Sequence, residues 1–338
     1  MITDAILKLI NHQNLKFNEV RGVVDQITNG TATDAQMGAF LVALRMKGET
    51  VEEITAAAEA IKNKCIPFNL PNPAETIDMV GTGGDCCGTF NITTVAAFIV
   101  AAAGVKVTKH GNRSSSSKSG AADVLETFGV DIYLSPEKSL KVLEKTGICF
   151  LFAQNHNPCM GHIGSIRKQI ATRTVFNILG PLINPARAGM QLIGTYDEKL
   201  TEPMAKVLKN LGITDGMVVH GTDGLDEASI TSDTIISQIR NSEIKTYIIR
   251  PEDFGLKRAV LSDISGGSPE ENKQIILNIL SGKDKGARLD ITSLNAALAL
   301  YIAKKVPSIK EGVELAKATV DKGLALKVFS EFVKLSSK

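Results

Sequence analysis

The stretch TIDMVGTGGDCCGTFNITTVAAFIVAAAGVKVTKHG, Thr76 to Gly111, decides the fold. A short apolar strand, TIDMV, runs into a glycine-rich turn. An alanine-rich helix near Asn91 to Ala103 follows, and VKVTKHG reads as a second strand. Strand, turn, helix and strand in this order open an α/β domain. Further along, Ser119 to Phe128 reads as a helix, Ser135-Pro136 starts another with proline in its first turn, and ICFLFA is a third strand. MQLIGTY, GMVVHG and KTYIIR supply more strands, with helices near Glu198 to Leu211 and from Pro269 onward. The expected architecture is a large α/β domain with a central mixed, mostly parallel sheet flanked by helices, beside a small all-helical domain.

The small domain comes from the other direction along the chain. Thr33 to Gln36 and Thr50 to Glu53 have capping-box spacing, and Gly30 and Gly48 are placed to end the preceding helices. Met37, Phe40, Leu41 and Leu44 recur at helical intervals, so one face of that segment should be buried. IPFNLPNPAE, with three prolines, breaks the helical pattern. We therefore expect a helical domain over residues 1–70, joined in space by about 164–187, where a helical reading from Gly164 to Leu179 ends at GPLINPA. Residues 71–163 and 188–338 are left for the α/β domain.

Composition bounds the function. At 338 residues the chain is longer than a usual single domain, and 43% hydrophobic with 22% charged residues is ordinary for a soluble globular protein. A formal charge of +2 offers no bulk attraction for nucleic acid, so any anion site has to be local. The longest apolar stretch, Val95 to Val105, is too short to span a bilayer, and the start MITDAILKLINHQ lacks the pattern of a signal peptide. A cytoplasmic protein with no membrane partner is the expectation. Five cysteines without a C-x-x-C pair argue against a disulfide framework and a zinc site.

Four loops carry chemistry. VGTGGDCCGTFNITT, Val80 to Thr94, lets backbone N–H groups approach a phosphate at a helix N-terminus, although a simple chain-reversing turn fits the glycines alone equally well. Gly83 to Gly88 has Walker spacing but is followed by Thr89-Phe90, and G-x-G-x-x-G is absent, which disfavours ATP and NAD. TKHGNRSSSSKSGAAD, Thr108 to Asp123, again joins a strand to a helix. Its lysine, hydroxyls and N–H groups suit phosphate oxygens better than a flexible linker would. Both loops should lie at the rim of the sheet where ligands of open α/β folds bind. In VVHGTDGLDEAS, Asp223, Asp226 and Glu227 suit Mg²⁺ beside a polyphosphate, whereas alone they would read as a solvated acidic turn. AQNHNPCMGHIGSIRKQ offers His156, His162 and Arg167, of which the arginine could fork onto a carboxylate. Cys86-Cys87 reads as incidental packing.

Taken together, GTGGD, GTFNITT, KHGNRSSSSKSGAADVLE, RTVFNILGPLINPA and HGTDGLDE resemble, in order, the signatures of the anthranilate phosphoribosyltransferase family of tryptophan biosynthesis, from about Val80 to Ser229. The resemblance implies transfer of a phosphoribosyl group from phosphoribosyl pyrophosphate (PRPP) to the amino nitrogen of anthranilate, with Mg²⁺ as cofactor, in a homodimer joined through the helical domain. It assigns Gly81, Gly83, Gly84, Asp85, Thr89, Asn91, Thr93, Thr94, Lys109, Gly111, Asn112, Arg113, Ser114, Ser115, Ser116, Ser117 and Ser119 to the PRPP site. Gly81, His110, Asn112 and Arg167 fall to anthranilate, and Thr93, Asp226 and Glu227 to the metal. His110 is the candidate for accepting the amine's proton. Three positions depart from the pattern: Asn157 stands for a usual histidine, Gly161 for a basic residue and Cys86 for a glycine. The first two bear on the acceptor. The competing readings are a pyrimidine nucleoside phosphorylase of the same architecture, and a non-catalytic nucleic-acid-binding relative, for which a net basic domain would be expected.

Overall fold

The computed structural model describes residues 1–114 and 118–337, apart from the side chains of Cys159 and His162. Four helices come first: α1 (Ile2–Ile10), α2 (Phe17–Thr28), α3 (Asp34–Lys47) and α4 (Val51–Lys62). Both capping boxes form. The Thr33 hydroxyl accepts the Gln36 N–H at 3.3 Å while Oε1 of Gln36 accepts that of Thr33 at 3.0 Å, and Thr50 and Glu53 repeat the exchange. Glu53 is buried, yet its carboxylate also takes the Leu15 N–H and the Lys47 ammonium, both at 2.8 Å, so its charge is compensated.

The α/β part runs β1 (Thr76–Gly81), α5 (Ile92–Ala102), β2 (Lys106–Gly111), α6 (Ala121–Thr127), α7 (Pro136–Thr146) and β3 (Ile148–Phe152). Ser135 caps α7 through the Lys138 N–H, Pro136 takes its first position, and Gly147 ends it at φ +77°. Next come α8 (Ala153–His156), α9 (Gly161–Ile170), α10 (Phe176–Leu179), β4 (Met190–Gly194), α11 (Thr201–Asn210), β5 (Asp215–Gly221), β6 (Thr234–Arg240) and β7 (Glu243–Ile249). Helices α12 (Pro269–Leu280), α13 (Ala287–Ile302), α14 (Ile309–Asp321) and α15 (Leu324–Ser336) complete the chain.

The seven strands form one sheet in the order β3-β2-β1-β4-β5-β6-β7. The first five are parallel, whereas β6 and β7 are antiparallel to their neighbours. All five parallel strands therefore end on the same rim. The sheet grows to one side of β1 and then, with β4, to the other, and such a reversal opens a crevice beyond the strand ends.

Two large apolar clusters sandwich the sheet. One surrounds the almost wholly buried α5 and α13. The other gathers α1–α4, Ile163 and Ile166 of α9, the stretch from Val175 to Ile183, one face of α11, and Ile193, Val218 and Ile239 of the sheet. The continuous helical reading from Gly164 to Leu179 fails at one point. Ala171 takes a left-handed φ of +51°, ending α9 and re-aiming the chain before α10.

Candidate active site

At the parallel rim, the loops after β1, β2 and β5 surround a cavity of about 310 Å³. Every described residue that the resemblance assigns to the site lines it, whereas Asp223, offered with Asp226 and Glu227 for Mg²⁺, does not: its carboxylate accepts the Ser229 and Thr231 hydroxyls and lies outside the acidic cluster. From the end of β1 comes Gly81, and from the loop after it Gly83, Gly84, Asp85, Thr89 and Asn91, with Thr93 and Thr94 at the start of α5. From β2 and its loop come Lys109, His110, Gly111, Asn112, Arg113, Ser114 and Ser119, and Arg167, Asp226 and Glu227 close the ring. Ser115, Ser116 and Ser117 lie outside the described residues. Phe176, Asn177, Gly180 and Pro181, in the RTVFNILGP stretch, also line the cavity and had been given no role.

The glycine turn owes its shape to positive φ at Gly83 and Gly84, +69° and +78°. Gly83 donates its N–H to Oδ2 of Asp226 at 2.6 Å, tying the turn after β1 to the acidic segment after β5. Further on, Thr89 bridges to Ser265, and the Asn91 amide donates to the Ser119 carbonyl at 3.0 Å. The last bond joins the first two phosphate-type loops. Arg173 holds the turn from outside: its guanidinium donates to the Gly84 carbonyl and stacks on the Tyr196 ring, 3.9 Å from its centre. Nothing in the spacing of RTVFN had marked Arg173 for this contact.

Asp85, Asp226 and Glu227 each present one oxygen, all within 4.8 Å of one another. Asp85, assigned to the donor alone, thus joins the expected metal ligands. Desolvation first, then the charge of Asp85, pushes Asp226 up to about 7. Desolvation, and then Asp226 and Asp85, hold Glu227 well above the usual carboxylate range. Thr93 donates its hydroxyl to Glu227 at 3.0 Å, which opposes that rise. Converging, mutually repelling carboxylates with a hydroxyl among them fit a hard, oxygen-seeking divalent cation.

Across the cavity, His110 is 3% exposed, and burial depresses it to about 4 despite a bond to the Gly180 carbonyl. It is a neutral imidazole whose Nε2 has no partner among the described residues. Arg167, on α9, is half-buried and forms no ion pair among the described residues, and desolvation lowers its basicity. Lys109 is 4% exposed, with its ammonium on the Met79 carbonyl at 2.7 Å. Arg113 lines the cavity too, but its guanidinium is engaged by Glu126 and Asp123.

Two of the departures fall elsewhere. Asn157 and Gly161 are absent from the cavity wall. Asn157 is buried, donating to the Ala153 carbonyl at 3.2 Å and accepting from the Cys65 thiol at 2.5 Å. Its neighbour His156 packs with Nδ1 against the Ile66 carbonyl. This buried cluster joins the Pro-rich segment to α8 and does not reach the crevice. Cys86 is exposed on the glycine turn at φ +60°.

Known proteins agree along the whole chain. Residues 3–65 match the helical bundle domain of the glycosyl transferase family and residues 73–326 its a/b domain. The anthranilate phosphoribosyltransferase of Methanobrevibacter smithii is 49% identical over 337 residues, covering 100% of both chains, and that of Persephonella marina is 48% identical over 95% of this chain and 94% of its own. The crystal structure of the Thermus thermophilus enzyme superposes with a TM-score of 0.92 at 38% identity, covering 98% of this chain and 99% of that one. The Saccharomyces cerevisiae enzyme in complex with PRPP and Mg reaches 0.91 at 30% identity, with 99% and 97% covered. A crevice built at the reversal of a parallel sheet, three carboxylates facing a glycine turn, and full-length identity near one half converge: the chain belongs to the anthranilate phosphoribosyltransferase family.

Proposed function

We propose that the cavity binds PRPP across the glycine turn and the loop after β2, places anthranilate beside His110 and Arg167, and transfers the phosphoribosyl group to the acceptor's amino nitrogen. The C1–oxygen bond of the ribose breaks, pyrophosphate leaves with the bonding pair, and the amine nitrogen forms the new bond and then loses a proton. Backbone N–H groups of the turn and the N-terminus of α5 hold phosphate oxygens, while Lys109 contributes a buried positive charge. Asp85, Asp226, Glu227 and Thr93 would hold Mg²⁺, which when bound compensates the charge that develops on the departing pyrophosphate. Arg167 forks onto the anthranilate carboxylate. His110, neutral and with Nε2 unpartnered among the described residues, accepts the proton lost after attack. An aromatic amine needs no prior deprotonation, so holding the two substrates in line supplies most of the acceleration.

The observation that carries this reading is the meeting, in one cavity, of the three-carboxylate cluster with the glycine turn on one side and His110 with Arg167 on the other. Loss of anthranilate fluorescence on adding PRPP and Mg²⁺ tests it. Unchanged fluorescence, together with phosphorolysis of a pyrimidine nucleoside, would replace it with the nucleoside phosphorylase reading. Two further expectations belong here. Leu7 and Ile10 of α1 and Val42 and Met46 of α3 are exposed apolar side chains on two helices that pack together, a surface suited to a homodimer through the helical region. The thiols of Cys86, Cys87 and Cys149, which form no disulfide among the described residues, suit a reducing, cytoplasmic setting, and among the described residues no helix is long and apolar enough to cross a membrane.

A further inference from the structure

Strands β1 and β2 pair only at their starts, Thr76 with Lys106 and Ile77 with Val107. Each keeps its outer partner to the end, β1 as far as Gly194 of β4 and β2 as far as Phe152 of β3. The ladder between β1 and β2 therefore lapses below the cavity, although the strands stay side by side. Side chains bridge the opening reciprocally: Oδ1 of Asp78 accepts the His110 N–H at 3.1 Å, and Nζ of Lys109 donates to the Met79 carbonyl at 2.7 Å. Asp78 is 0% exposed. Its other oxygen meets the Gln191 amide at 3.5 Å, and Asn184 donates to the same carboxyl. A carboxylate this deeply buried is costly unless bonded and paired, and it lies directly beneath two residues of the cavity wall.

We infer that Asp78 is a positioning residue for phosphoribosyl transfer: its carboxylate fixes the His110 backbone where the β1–β2 ladder lapses, and it faces the Lys109 ammonium that crosses the same gap beneath the donor's phosphates. This rests on the reading of the cavity given above. Lys109 is faced by Asp78 from β1 and by Asp226 and Glu227 from the segment after β5. Asp78 is faced by Lys109, by Lys62 of α4 and by the Cys149 thiol of β3, and Arg187 lines the small void beside it. Burial lowers Lys109 to about 8, with Asp78 foremost among the charges opposing the fall, and burial raises Asp78 to about 6. Asn at position 78 keeps the shape and an acceptor for His110 but removes the charge, so Lys109 gives up its proton at a lower pH.

Calorimetric titration of the full chain with PRPP and Mg²⁺ from pH 6 to 9, with kcat and KM for each substrate, tests the role in Asp78→Asn. A drop of one unit in the lysine's pKa corresponds to about tenfold. The expected result is an alkaline loss of donor binding that sets in about one unit earlier than in wild type, and a donor KM raised by about fivefold at pH 8 and nearly tenfold at pH 9, with the anthranilate KM little changed. Donor affinity and an alkaline limb matching wild type in the folded variant would overturn the inference. A stability cycle covers the case in which Asp78→Asn folds poorly: its loss of Tm should shrink in the Lys109→Met background, and an equal loss in both backgrounds would overturn the pairing. Failure of wild type to bind PRPP at all would instead count against the function proposed for the cavity, while the stability cycle would still decide the coupling.

Discussion

Gly81→Ala separates the working of the acidic cluster from the stability of the fold. Gly81 closes β1, and a Cβ there would lie 2.2 Å from Oδ2 of Asp226 and 2.9 Å from its Cγ. Ordinary contact requires about 1 Å more. The intruding methyl meets the tip of a side chain, so the carboxylate can swing aside, but in doing so it gives up the 2.6 Å bond from the Gly83 N–H. Loss of a charge-assisted bond costs about 2 kcal/mol, so the fold should survive. Activity should not: displacing a reacting or ligating group by about 1 Å lowers turnover on the order of 100-fold. The assay pairs anthranilate fluorescence with urea unfolding, in wild type, Gly81→Ala, Asp226→Ala and the double variant. In the Asp226→Ala background the clash has no target, and the added alanine should change stability by less than about 0.5 kcal/mol. Wild-type turnover in Gly81→Ala, or an undiminished stability penalty in the double variant, would refute the reasoning.

The remaining predictions concern the same rim. Asp226→Asn with Glu227→Gln should abolish most Mg²⁺-dependent pyrophosphate release. In EDTA the same pair should melt at a higher temperature than wild type at pH 8, because it removes buried repulsion. Both carboxyls titrate above their unfolded values, so between about pH 4 and 7 the folded state binds more protons than the unfolded one. Stability of the metal-free wild type should therefore fall as pH rises through that window, and thermal melts at stepped pH in EDTA check the sign. Arg167→Ala should raise the anthranilate KM about tenfold or more while leaving PRPP affinity near wild type, as measured by steady-state kinetics with each substrate varied. Cys86→Gly should leave turnover unchanged and gain up to about 1 kcal/mol in urea unfolding, since an L-residue at φ +60° carries strain that glycine does not.

The sequence showed the rim better than it showed the supports beneath it. Capping boxes, the strand–turn–helix unit and the acidic turn are local patterns, and they form as read at Thr33, Thr50, Val80 and Asp226, with Asp223 of the acidic turn the exception. Strand β6, TIISQIR, went unread. Its partner hairpin turns through Asn241 and Ser242, both at positive φ, a two-residue loop that Asn-Ser signals less clearly than Asn-Gly would. Asp78 carried no mark either, because a lone carboxylate in an apolar strand gains its meaning from Lys109 and His110, about thirty residues later. The same holds for Arg173, whose partners Gly84 and Tyr196 come from two other loops. Asn157 is a different case: its place in a motif suggests the acceptor, whereas the structure buries it against Cys65 and Ala153, outside the cavity wall.

The apolar interior of the N-terminal helices does not close on itself. Their apolar side chains merge with α11 and with Ile193, Val218 and Ile239 of the sheet, so helices and sheet lose their burial together. Heating should therefore melt the chain in one cooperative step, and a fragment ending at Lys62 would leave its inner face open to water and fail to hold its shape.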